Sequence, residues 1–203
     1  PWPHVDQAAE YLKKIVERCA SEGIVYGLEV ESHLIGGDGH TLIALHEKIG
    51  SDYTCIIEDV GNMEAQGHSP DSVYAHYLKM KPGLGWIHIK GYNQPMDEGM
   101  IEAAKERGLT RFIPVDRGDA GHEMVLRDYR TIVPELDAKF KKLGVPGVFI
   151  DLEPHVKGGG QFGGFSGVDG FGVALRALLN VLDYVGIDYS LTNYGDILQR
   201  KEG

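Results

Sequence analysis

Apolar positions recur along this chain in two alternating rhythms. Val5, Ala8, Ala9, Leu12, Ile15, Val16 and Cys19 fall at helical spacing and predict a helix over 5–22, closed at Glu22-Gly23. IVYGLEVE (24–31) follows as a continuous apolar run, the mark of a strand covered on both faces. The alternation then repeats. An amphipathic helix over 41–49 ends at Gly50, and TCIIED (54–59) is the next strand. A helix then opens at Ser69-Pro70, with Ser69 as N-cap and Pro70 at the first helical position, and runs to about Lys81. GWIHIKG (85–91) is a third strand. A short helix near 97–107, a turn VDRGDAG and a long helix over 121–143 lead to VPGVFIDLE (145–153), the fourth. A glycine-rich loop spans 158–172, a helix covers 172–185, and a short polar helix starts near Tyr194. Short apolar strands separated by amphipathic helices predict an α/β fold on a parallel sheet. No internal repeat or linker divides the 203 residues, so the reading is one domain over 1–203.

Composition narrows the partners. The formal net charge is −10, from 20 basic and 30 acidic side chains. Neither a phosphate backbone nor an anionic lipid surface attracts such a chain, so no nucleic-acid or membrane partner is expected. Cys19 and Cys55, on a predicted helix and a predicted strand, read as buried thiols in a reducing compartment. With no membrane-spanning run and no signal-peptide pattern, the expected address is cytoplasmic.

The strand ends carry the chemistry. Glu29 and Glu31 close the first strand, Glu58 and Asp59 the second; His88 and Lys90 lie on the third, Asp151 and Glu153 on the fourth. Ligands of parallel α/β folds bind at the carboxyl ends of strands, where the loops converge. Alternation puts Glu29 with Glu31, His88 with Lys90, and Asp151 with Glu153 on shared faces, while Glu58 and Asp59 point to opposite sides. Parity alone leaves Glu29 and Glu31 tied. Three carboxylates and an imidazole suit one divalent cation: Mn2+ first, with Mg2+, Co2+ or Zn2+ as alternatives.

These residues resemble a known pattern. E-S-H (31–33) followed by IIEDVGN (56–62) is similar to the xylose-isomerase-like TIM-barrel superfamily of sugar phosphate isomerases and epimerases. The resemblance implies a metal site of Glu31, Asp59 in D-V-G-N, His88 in WIHIKGY and Glu153 in L-E-P-H. Asp59 follows Glu31 by 28 residues and His88 follows Asp59 by 29, each one βα unit. It implies a (β/α)8 barrel of which this chain is the C-terminal half, strands five to eight. Its N-terminal half would be missing upstream, supplied by a separate chain, or replaced by a second copy in a homo-oligomer. Two features depart from the pattern. Glu153 follows His88 by 65 residues, which requires an insertion, and Asn62 stands where ketose 3-epimerases carry a sugar-contacting His.

The implied reaction is isomerisation or epimerisation of a small-molecule sugar. A divalent metal ion would stabilise the enediolate formed when a proton leaves carbon, with Glu31 and Glu153 as catalytic base and acid. The alternatives are a lyase that eliminates from 3-keto-glycosides through the same enolate, and a barrel subunit without catalysis. An endonuclease-IV-type multi-zinc centre fits poorly with the acidic charge and the few histidines. Asn62, Lys90, Arg117, His33, His155 and Phe162 are the expected substrate contacts. Within 157–172, Phe162, Phe165 and Phe171 are expected to form an aromatic wall, and the lack of a G-K-[ST] ending excludes a nucleotide P-loop.

Overall fold

The computed structural model describes residues 4–32, 34–92, 112–118, 120–156 and 167–189. Within them four strands, β1 (Tyr26–Glu29), β2 (Thr54–Asp59), β3 (Leu84–Ile89) and β6 (Ile150–Leu152), form one parallel sheet in that order. Two short segments, β4 (Gly91–Tyr92) and β5 (Phe112–Ile113), pair antiparallel outside it. Helices α1 (Val5–Ser21), α2 (Gly39–Ile49), α3 (Val60–Ala65), α4 (Pro70–Met80), α5 (His122–Lys142) and α6 (Gly167–Val185) complete the elements.

Local chemistry sets the helix ends. Asp38 caps α2, its carboxylate accepting from the His40 and Thr41 N–H groups at 2.8 and 2.9 Å. Gly50 ends that helix at φ +65°, a conformation that favours glycine. Ser69 caps α4 with Pro70 in the first turn, as its sequence requires.

The sheet is two-faced. Ile56, Ile87 and Ile89 point toward the helices and are fully buried with Leu42 of α2, Tyr77 and Met80 of α4, and Leu126 and Tyr129 of α5. Each such side chain contributes about 1.5–3 kcal/mol relative to exposure. Tyr129 also donates to the Gly85 carbonyl at 2.8 Å, fixing α5 to β3. Asp59, His88 and Asp151 lie on the opposite face.

Three expectations change. The run 145–149 is not strand: Gly144 and Gly147 sit at φ +84° and +146°, so β6 starts only at Ile150. The glycine-rich segment is not loop to 172, because α6 begins at Gly167 and carries Phe171, 48% exposed, on its surface. The insertion between His88 and Glu153 contains the β4–β5 pair. The expected helices near 97–107 and Tyr194 lie outside the described residues, as do His33, Phe162 and Phe165.

Candidate metal centre

Strand register assembles the site. Asp59 of β2 pairs with His88 of β3, and His88 pairs with Asp151 of β6. Glu29 ends β1 beside Ile57. Past β6, the Glu153 N–H donates to the Ile89 carbonyl at 2.9 Å, extending the ladder one residue beyond the strand. One donor atom from each of Glu29, Asp59, His88 and Glu153 falls within 4.8 Å of every other. Among the described residues no other group of three or more such side chains does so.

His88 is the hub. Its Nδ1 lies 3.2 Å from Glu29 Oε1 and 3.0 Å from Glu153 Oε1, and its Nε2 lies 3.7 Å from Asp151 Oδ2. Burial lowers the basicity of the ring, but hydrogen bonding to Glu153 and Glu29 outweighs it and lifts the pKa to about 10. The reciprocal effect on Glu153, from His88 first and then Lys90 against the opposing effect of burial, holds its carboxyl down at about 2. At neutral pH an imidazolium therefore stands between two carboxylates.

Lys90 supplies the second internal cation. Its Nζ is 2.7 Å from Glu153 Oε2 and 2.7 Å from Asp59 Oδ2, and its side chain is 5% exposed. The contact with Glu153 is a hydrogen bond. That with Asp59 is an equally short ion pair, so one ammonium joins the two carboxylates. Burial pushes the Asp59 carboxyl upward, against the Lys90 ammonium that pulls it down. Its other oxygen accepts from the Asn62 N–H at 2.9 Å and caps α3. The glycine of D-V-G-N has a steric reason. A Cβ on Gly61 would lie 2.5 Å from the Lys90 carbonyl oxygen, so only glycine lets α3 meet the end of β3. His122 at the start of α5 caps nothing; it is buried and bonds the Lys90 carbonyl, with burial drawing its pKa down to about 4.

The structure brings Asp59, His88 and Glu153 together, and Glu29 is the fourth member of the group; Glu31 lies beside it. The backbone gives the reason. Val30 still donates to Ile57 at 3.2 Å, but a turn from the Glu31 carbonyl to the Leu34 N–H takes Glu31 off the strand. The Glu31 Oε1 then accepts from the Ser32 N–H and hydroxyl at 2.7 and 2.9 Å. Asn62 ties the two glutamates: its Nδ2 donates to Glu29 Oε1, Val30 O and Glu31 Oε2 at 3.3, 3.0 and 3.2 Å. Asn62, an expected substrate contact, thus holds the two carboxylates beside each other. His155 stacks on Phe112 with ring centroids 3.9 Å apart, and Arg117 is exposed at the end of a short 3-10 turn (Val115–Arg117). A cavity of 580 Å³ is lined by Ser32, Gln66, Asp38, His40, His68 and His76. Ser32 and Gln66 connect it to the site, through Glu31 and the Asn62 carbonyl respectively.

The donor chemistry fits a divalent cation. Three carboxylates and one imidazole converge at the carboxyl ends of neighbouring strands, an oxygen-rich set with one nitrogen. Fold and site thus define a class: a parallel βα half-barrel bearing an acidic, histidine-containing cluster on its carboxyl face. No family model and no curated protein matches the sequence. Among solved structures, the chain is similar to a xylose isomerase-like TIM barrel protein from Mycobacterium smegmatis in complex with magnesium, with a TM-score of 0.59 and 17% identity. The match covers 91% of this chain and 51% of that chain. The chain has the fold of part of a TIM barrel and spans about half the length of the solved structure it matches. No helix among the described residues is long and apolar enough to cross a membrane.

Proposed function

We propose that this chain carries the metal centre of a divalent-metal-dependent sugar isomerase or epimerase. The observation that carries the reading is the convergence of Glu29, Asp59, His88 and Glu153 within 4.8 Å. The magnesium of the similar barrel protein supports it by analogy of fold. A divalent ion held by these four residues would polarise a sugar carbonyl and stabilise the charge that develops on it when a neighbouring carbon loses a proton.

The chain's own groups do the rest. Glu29 and Glu153 come from the two outer strands of the described sheet and meet at His88 Nδ1, so a sugar carbon between them has a carboxylate on either side. Glu153 and Glu29 are the proposed proton-transfer pair. Glu31, bonded to the same Asn62 amide, is the alternative to Glu29. Lys90 holds the second oxygen of Glu153 and presents positive charge to an oxyanion. The cavity beside Ser32 and Gln66 has room for the remainder of the sugar, with His155, Arg117, His33 and Phe162 as further proposed contacts. Mn2+ is the proposed ion, because the oxygen-rich set with one nitrogen suits it.

The test is incubation of the Mn2+-loaded protein with free ketoses in D2O. The expected result is deuterium at the carbon next to the carbonyl, together with the isomeric or epimeric sugar. Ketoses left unlabelled, alongside aglycone release from 3-keto-glycosides, would refute it.

A further inference from the structure

His88 has two ring nitrogens, and the structure gives them different neighbours. Nδ1 points into the cluster, 3.2 Å from Glu29 and 3.0 Å from Glu153. Nε2 points away from those carboxylates, toward Asp151 at 3.7 Å. Asp151 is not one of the four clustered residues. It pairs in register with His88 on the adjacent strand, and its side chain is 56% exposed.

We infer that Asp151 is a positioning residue for the metal centre, accepting the Nε2–H of His88 so that Nδ1 is left as the metal-binding nitrogen. The inference rests on the metal-centre reading above and deepens it. A ring that binds a cation through one nitrogen keeps its proton on the other, and a carboxylate there fixes the tautomer, orients the ring and makes the ligand nitrogen a better donor. The fold supplies the partner cheaply. Asp151 and Glu153 are two apart on one face of the β6 edge, so a single strand brings a ligand to Nδ1 and an acceptor to Nε2. The gap of 3.7 Å is longer than a hydrogen bond and lies at the open, exposed side of the ring, where Asp151 is free to close. Hydrogen bonding of Glu29 and Glu153 to Nδ1 leaves Nε2 as the nitrogen open to this role.

The experiment compares Mn2+ affinity of the unsubstituted chain, Asp151→Asn and Asp151→Glu, read from the electron paramagnetic resonance signal of free Mn2+. The tautomer of His88 is read by 15N NMR of the Zn2+-loaded chain. The expected affinity of Asp151→Asn is about 10–100-fold weaker, and Asp151→Glu restores most of the loss. The expected spectrum of the unsubstituted chain shows Nε2 protonated and Nδ1 bound to metal. Equal affinity in Asp151→Asn, or metal on Nε2, would overturn the inference while leaving the metal centre standing. No Mn2+ binding by the unsubstituted chain would overturn the metal centre and the inference together. The spectrum of the unsubstituted chain decides the matter even where a variant fails to fold.

Discussion

Glu58 offers a sharp test of how this sheet is covered. It is fully buried on the helix-facing side of β2, and neither carboxylate oxygen has a hydrogen-bond partner. Burial first, and the neighbouring Asp59 charge second, lift its pKa from 4.5 to about 8. The folded chain therefore binds a proton that the unfolded chain releases, so stability is complete below pH 4.5 and falls as pH rises toward 8. Linkage puts the penalty at about 3 kcal/mol at pH 7 and about 5 kcal/mol well above pH 8. That is a large share of the roughly 5–15 kcal/mol that holds a domain folded.

Glu58→Gln removes the titration but leaves a buried amide without partners, which costs about 1–3 kcal/mol at every pH. Urea unfolding of both proteins in chelator, from about pH 5 to about pH 8.5, should show the stability difference moving by about 4 kcal/mol in favour of the variant. A pH-independent difference would refute the burial argument.

Other consequences follow from the same geometry. Metal loading must expel the Nδ1 proton of His88, whose pKa is held at about 10, so apparent affinity should rise as pH increases across neutrality and binding should release protons. Calorimetry in buffers of different ionisation enthalpy checks this; zero proton release at pH 7 would contradict it. Asn62→Ala strips donors from Glu29, Glu31 and the buried Val30 carbonyl, and should cost about 1–3 kcal/mol in denaturant unfolding as well as weaken Mn2+ binding. Phe140 is fully buried and stacks on Trp86 with centroids 5.0 Å apart. Phe140→Ala should cost about 3–5 kcal/mol and shift the Trp86 fluorescence, and an unchanged midpoint would refute its place in the core.

Most of the scaffold could be read from the chain because its rules are local. Ser69-Pro70 and Gly50 mark helix ends through their own backbone chemistry, and the apolar runs at 54–59 and 85–91 mark strands. Asp59, His88 and Glu153 were legible for the same reason, as strand-end residues one ladder apart. Glu29 was not. Strand parity placed it level with Glu31, and only the turn at 31–34, which commits the Glu31 carboxylate to Ser32, separates them. Asp59 capping α3 was written in its sequence, an acidic residue three before Asn62, but the strand reading absorbed it. The β4–β5 pair left no periodic signal because each partner has only two residues. The helical start at Gly167 was hidden by glycines that favour loops and are overridden by the apolar stripe of α6, including Ala174, Ala177, Leu178 and Leu182.

Whether Glu29 or Glu31 holds the metal is decided by the Mn2+ affinity of Glu29→Gln beside that of Glu31→Gln. Glu29→Gln is expected to lose binding by more than the roughly 100-fold attributable to a residue behind a ligand, while Glu31→Gln stays within about tenfold of the unsubstituted chain. Strong binding by Glu29→Gln together with its loss in Glu31→Gln would contradict the choice of Glu29.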